Sequence, residues 1–142
     1  NNYLLFEGDG IKVVIQTGVF EPEKHKLEFY DEKELIKIDK KPYYGSYGEV
    51  PRTTIDSITV ILKNDTIEIP RTAYKDLYDP AFTYSHKGDA KSLNGIFFSA
   101  DGRKIYIYLL NKEKTGSYEV TWVIQDKKYL RRVIDFDLFE GL

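Results

Sequence analysis

Little in this chain is equipped for acid–base or nucleophilic chemistry. It carries two histidines, no cysteine, no methionine and 23 aspartates plus glutamates in 142 residues. His86 is the stronger candidate base, because Ser85 and Asp89 flank it. A Ser–His–carboxylate triad needs a hydroxyl and an orienting carboxylate folded onto one imidazole, and neighbours on one loop do not supply that by themselves. His25, within Glu23-Lys24-His25-Lys26, reads as part of a charged turn. Glycoside cleavage needs two carboxyl groups roughly 5 to 9.5 Å apart. Asp135 and Asp137 project to one face if the last strand continues through them, yet a charged strand edge that resists pairing gives the same pattern.

Other site signatures fail on spacing. Glu7-Gly8-Asp9-Gly10 has two glycines of a dinucleotide fingerprint but no third, and a strand follows where a helix is needed. In Tyr44-Gly45-Ser46-Tyr47-Gly48 the first glycine touches the serine directly, so the G-x-S-x-G spacing of a nucleophile elbow is not met. Asp9, or Asp79 with Asp89, could offer oxygens to calcium, but no D-x-[DN]-x-[DN]-G run exists. Without cysteine there is no disulfide, thiolate-held zinc or iron–sulfur cluster. No catalytic residue, metal or cofactor is assigned.

The aromatic surplus is the better lead. The chain has twelve tyrosines, eight phenylalanines and one tryptophan. Tyr43, Tyr44 and Tyr47 cluster in a glycine-containing loop, where a flat apolar ring with a hydroxyl suits a protein or sugar contact. Tyr84, with Phe82, and His86 in a second long loop extend that expected surface. The competing reading packs the loop tyrosines inward over the end of the fold.

These loops hang on elements with strand periodicity. Ile105, Ile107 and Leu109 alternate with Tyr106, Tyr108 and Leu110, which predicts a central strand covered on both faces. Asp101-Gly102 turns the chain from a strand at residues 95–100. Tyr118, Val120, Trp122 and Ile124 form one face of a third strand, and Tyr129 to Asp135 a fourth, completing a meander. Upstream, Ile58 to Leu62 and Thr66 to Ile69 pair around Asn64-Asp65. Tyr3 to Phe6 with Ile11 to Thr17, and Leu27 to Tyr30 with Leu35 to Ile38, read as two more pairs. The i, i+4 spacing of Ala73 with Leu77 and Tyr74 with Tyr78, after Pro70 and before Asp79-Pro80, predicts about two turns of helix over residues 71–78. The expectation is one mainly β domain over residues 1–142, an antiparallel sandwich or open barrel. An α+β roll is the alternative if that helix is longer.

Composition narrows the class. Hydrophobic residues make up 42% and charged residues 31%, enough for a packed core. With 21 Lys plus Arg the formal net charge is −2, which argues against a dedicated nucleic-acid binder. No stretch approaches the roughly 20 apolar residues of a membrane-spanning helix. The chain opens Asn1-Asn2-Tyr3 rather than with Met, as a chain with a cleaved leader does, and as a domain cut from a longer protein also does.

Two segments carry a resemblance. One runs from Tyr43-Tyr44-Gly45 to Pro51, on through Ile58 to Ile69 and Pro70 to Leu77. The other is Gly116-Ser117-Tyr118-Glu119-Val120-Thr121-Trp122, running to Tyr129-Leu130-Arg131-Arg132-Val133. Together they resemble uncharacterised bacterial domains that are often exported, which implies an extracytoplasmic location and transfers no activity. The functional expectation is a non-enzymatic binding domain for a protein or glycan. The alternatives are a glycan-active enzyme with a carboxylate pair and a structural module of a cell envelope.

Overall fold

Paired left-handed residues close several hairpins among the described residues. In the computed structural model, which describes residues 3–45, 48–81, 84–86, 89–91, 94–113 and 116–136, β1 (Tyr3–Gly8) turns into β2 (Ile11–Val19) through Asp9 at φ 52° and Gly10 at φ 80°. Two consecutive positive φ values make a type I′ turn, whose twist matches that of the flanking strands. The same device recurs at Lys63 and Asn64 between β5 (Thr53–Leu62) and β6 (Asp65–Ile67), and at Asp126 and Lys127 between β11 (Gly116–Gln125) and β12 (Lys128–Phe136). Asp39 and Lys40 do so after β4 (Glu34–Ile38), which pairs with β3 (Leu27–Tyr30). At Asp101-Gly102 only Gly102 is left-handed, at φ 74°, and the Gly102 N–H bonds the Ser99 carbonyl. That is a type I turn followed by a bulge, joining β9 (Gly95–Phe98) to β10 (Lys104–Glu113).

Two four-stranded antiparallel sheets result, one in the order β1-β2-β5-β6 and one in the order β12-β11-β10-β9. Hairpins β3–β4 and β7 (Tyr84–His86) with β8 (Asp89–Lys91) stand apart from them. The second sheet is the meander expected from sequence. Ile11, Val13, Ile15, Ile58 and Val60 from the first sheet share one buried cluster with Ile105, Ile107, Leu109, Tyr118, Val120, Trp122 and Ile124 from the second. The fold is therefore a β-sandwich. Each such aliphatic or aromatic side chain contributes about 1.5–3 kcal/mol by leaving water.

The outer face of the meander departs from expectation. Its inner face is buried, with Ile107 and Leu109 at 0% exposure, but on the other side Tyr106 and Tyr108 are only half-buried and Phe97 is 57% exposed. The strand is central in its sheet and lies against the core on one face.

The predicted two-turn helix is not formed. Residues 71–73 make a single 3-10 turn, Arg71–Ala73, and the chain then runs as an irregular strap to Asp79. The reason is competition for carbonyls. A helix would give the Ala73 carbonyl to the Leu77 N–H, but Trp122 Nε1 takes it at 2.8 Å and Arg132 Nη1 at 3.1 Å. The Leu77 N–H bonds Tyr74 instead. Ala73, Tyr74, Leu77 and Tyr78 are all buried, so their apolar spacing reflects a strap across the sandwich end. The α+β alternative falls with the helix. Asp79 closes the strap: its Oδ1 accepts the N–H groups of Arg52 at 2.8 Å and Thr53 at 3.0 Å.

Candidate functional site

Tyr43 and Tyr44 leave the loop in opposite directions, as consecutive residues of an extended backbone do. The Tyr43 hydroxyl donates to the Leu35 carbonyl at 3.0 Å, and its ring meets Tyr78 edge-on at 6.0 Å. Tyr44 lies against Tyr118, with ring centres 6.3 Å apart, and its backbone bridges Leu77 in parallel. Both side chains are half-buried. Tyr47 lies outside the described residues. Tyr84 and His86 sit on the backbone of β7, where His86 pairs with Asp89 of β8. Of the five expected contact residues, the structure thus packs Tyr43 into the small cluster under the β3–β4 hairpin and Tyr44 against the main core.

What the tyrosines hold is a hairpin on which several large apolar side chains stay exposed. A bulge where Glu28 gives way to Phe29 allows both Leu35 and Ile38 to point inward, at 2% and 4% exposure. Phe20, Leu35, Ile38 and Tyr78 form the cluster beneath it, with Leu27 and Tyr43 packed alongside. Tyr30 on the outer face is 67% exposed and Ile36 at the bulge 49%, while Phe29, which shares the face of Leu35 near the hairpin's tip, is 44% exposed. The Leu35 N–H bonds the Gly48 carbonyl, tying the hairpin to the tyrosine loop.

His25 belongs to the same cluster, not to a simple charged turn. Its ring stacks on Phe20 at 4.7 Å and 17°, and Nδ1 donates to Asp39 Oδ2 at 2.7 Å. That bond and the Lys26 N–H on Oδ1 hold the Asp39 carboxyl below the usual carboxylate range. A phenyl face and a carboxylate fix the imidazole across the base of the hairpin, which is a structural clamp. The link joins residues fourteen apart with no periodic signal between them, so the sequence carries no sign of it.

Other polar arrangements lie elsewhere on the sandwich. Arg132 pairs both nitrogens with Asp76, Nη1 to Oδ1 at 2.6 Å and Nη2 to Oδ2 at 2.7 Å, with about a quarter of each side chain exposed. Tyr108 donates to Glu119 on the outer face of the second sheet, and burial, then this bond, push its hydroxyl well above the ordinary tyrosine range. Glu119 sits opposite Asp135 across β11 and β12, while Asp137 lies outside the described residues. An open groove of about 330 Å³ is lined by Ile67, Glu68, Pro70, Lys127, Lys128 and Tyr129. Among the described residues no group of three or more histidines and carboxylates is gathered to hold a metal, and no helix is long and apolar enough to cross a membrane.

No family model, curated protein or solved structure matches the chain.

Proposed function

We propose that the chain is a non-enzymatic interaction domain that meets a protein partner through apolar side chains on the β3–β4 hairpin. The observation that carries this reading is the exposure of Phe29, Tyr30 and Ile36 on an element whose inner face is clamped by Tyr43, His25 and Asp39. Rigidly held aromatic and aliphatic anchors are what contribute most of the energy in protein interfaces, and pre-ordering them lowers the cost of binding. In this reading Tyr43 and Tyr44 act by positioning the hairpin, and Tyr47, Tyr84 and His86 are retained as further contact residues. The resemblance to exported bacterial domains supports placing the interaction outside the cytoplasm.

The test uses a photo-reactive phenylalanine analogue in place of Tyr30 and, as control, in place of Lys104 at the start of β10 in the second sheet. A discrete adduct at the Tyr30 position, lost on combining it with Ile36→Ser, is the expected result. In parallel, glycans, nucleotides and divalent cations are screened by thermal shift. A ligand at a hundred times its dissociation constant adds about 2.7 kcal/mol, roughly 6–10 °C for a domain of this size. A glycan or nucleotide shift of that size with no adduct at Tyr30 overturns the reading in favour of a small-molecule site.

A further inference from the structure

The two long edge strands of the sandwich are built to opposite rules. β12 carries devices that discourage pairing: a bulge at Leu130, charges at Lys128, Arg131 and Asp135, and Arg132 turned inward toward the strap. β1 has neither a bulge nor an inward-turned charge, and Glu7 is its single charged residue. Its register with β2 is unbroken from Tyr3 to Gly8, it contains no proline or lysine, and its run Tyr3-Leu4-Leu5-Phe6 is wholly apolar or aromatic. Among the described residues no strand pairs with its outer edge.

Hydrogen-bond parity fixes which groups that edge presents. The Lys63 N–H bonds the Gly10 carbonyl at 2.8 Å, so the even-numbered residues of β2 serve β5 and the odd-numbered ones serve β1. With Gly8 opposite Ile11, Leu4, Phe6 and Gly8 are then the β1 residues bonded to β2. The N–H and C=O groups of Tyr3, Leu5 and Glu7 point away from the sheet.

We infer that β1 is a self-pairing edge, joining a second copy of this chain antiparallel about a two-fold axis at Leu5. The inference rests on the interaction-domain reading and names a partner for it. In this register Leu5 faces Leu5 of the second copy and Tyr3 faces Glu7, so every outward-pointing backbone group between Tyr3 and Glu7 is paired. Leu4 and Phe6, already packed against the core, meet each other on the inner side and continue it. On the outer side Leu5, 46% exposed, meets its own copy, and Tyr3, 54% exposed, lies beside Glu7 of the second copy. The strand's single charge favours a like partner: Glu7 lands beside a tyrosine ring and hydroxyl, never beside another Glu7, and keeps its own Lys12 at 3.9 Å. A slip of one residue would send Leu4 and Phe6 to the wrong face. The product is one continuous eight-stranded sheet.

Sedimentation equilibrium over a concentration series tests this directly, with the expected result a monomer–dimer equilibrium. Leu5→Lys places like charges at the axis and should raise the dimer dissociation constant about a hundredfold. Because the Leu5 side chain lies on the outer face, melting of the dilute monomer should be unchanged. The chain has no cysteine, so Leu5→Cys reports on the axis without background and should oxidise to a covalent dimer, while the exposed mid-sheet Thr59→Cys should not. A monomer at every concentration overturns the self-pairing. A dimer indifferent to Leu5→Lys, or one in which Thr59→Cys oxidises as readily as Leu5→Cys, overturns the β1 interface. Either result leaves the interaction reading to stand or fall separately, on the Tyr30 adduct.

Discussion

Trp122 and Arg132 face each other across β11 and β12 and end on the same atom, the carbonyl oxygen of Ala73. The indole is fully buried and the guanidinium half-buried, so the strap between Pro70 and Asp79 is pinned by one apolar and one charged donor side by side. Arg132 is satisfied further by both oxygens of Asp76, which raises its already high affinity for the proton.

Removing Asp76 should therefore cost more than a surface pair would. Asp76→Ala leaves a partly desolvated guanidinium with one acceptor, and about 1–3 kcal/mol of stability should be lost, between the exposed and the fully buried limits. Arg132→Met combined with Asp76→Ala should recover part of that, because no charge is then stranded. Urea unfolding of the two single variants and the double variant checks the non-additivity.

Trp122→Phe should be costlier, at about 2–4 kcal/mol, through lost volume and the lost bond to Ala73. The expected signature is destabilisation with an unchanged denaturant slope. A change in slope would mean that the strap had come loose in the native state.

At alkaline pH the fold should weaken through its tyrosines. Burial raises the hydroxyls of Tyr108, Tyr78 and Tyr129 above the ordinary value, and the neighbouring Glu119 carboxylate adds to the rise at Tyr108. Groups raised in the folded state contribute stability that is complete below the unfolded value near 10 and is lost as pH climbs through the folded one. Stability measured from pH 8 upward should fall beyond about pH 10, and less steeply for Tyr108→Phe. Ultraviolet titration of phenolate should show a fraction of the tyrosines ionising only as the protein unfolds.

At acid pH the sign reverses. Asp39 is held low by His25 and the Lys26 N–H, so its contribution is present above the unfolded carboxylate value near 4 and disappears as pH falls below it. Asp39→Asn should lower stability at neutral pH by less than about 1 kcal/mol, given its exposure, and should flatten the acid limb. Comparing guanidinium midpoints at pH 7 and pH 3 for both proteins checks this.

Turn chemistry offers a stabilising substitution. Lys40 sits at φ 67°, where a side chain costs energy that glycine avoids. Lys40→Gly converts Asp39-Lys40 into the preferred Asp-Gly pair and should add about 0.5–1 kcal/mol, whereas Gly10→Ala, at φ 80°, should remove about 1 kcal/mol. Thermal midpoints of the two variants should move in opposite directions.

The meander is legible in the sequence because its signal is local. Alternation at Ile105 to Leu109 and Tyr118 to Ile124, with Asp101-Gly102 and Asp126-Lys127 between strands, needs no distant partner to be read. The strap misleads because periodicity reports where apolar side chains point and not which donors claim the backbone. Trp122 and Arg132 lie 49 and 59 residues from Ala73, and nothing near Ala73 announces them. Tyr43 and Tyr44 show the same limit. A loop rich in tyrosine reads as a contact surface, yet the two rings pack onto Tyr78 and Tyr118, contributed by distant segments. The exposure of Phe29, Tyr30 and Ile36 emerges only once the bulge in the hairpin's register is known.

The arrangement of the sheets also sets an order of assembly. Every pairing in the second sheet joins strands adjacent in sequence, so each closes a short loop and is rewarded at once. In the first sheet β2 must find β5 across the excursion of residues 20–52, and it gains nothing until that loop closes. Val123 and Ile107 should therefore be structured in the folding transition state, with high φ-values, while Val13 and Val60 consolidate afterwards. A newly made chain would carry the β5-facing edge of β2 open, as well as the apolar edge of β1, until the late β2–β5 closure, and crowding at that stage would favour joining to a neighbour over finishing alone.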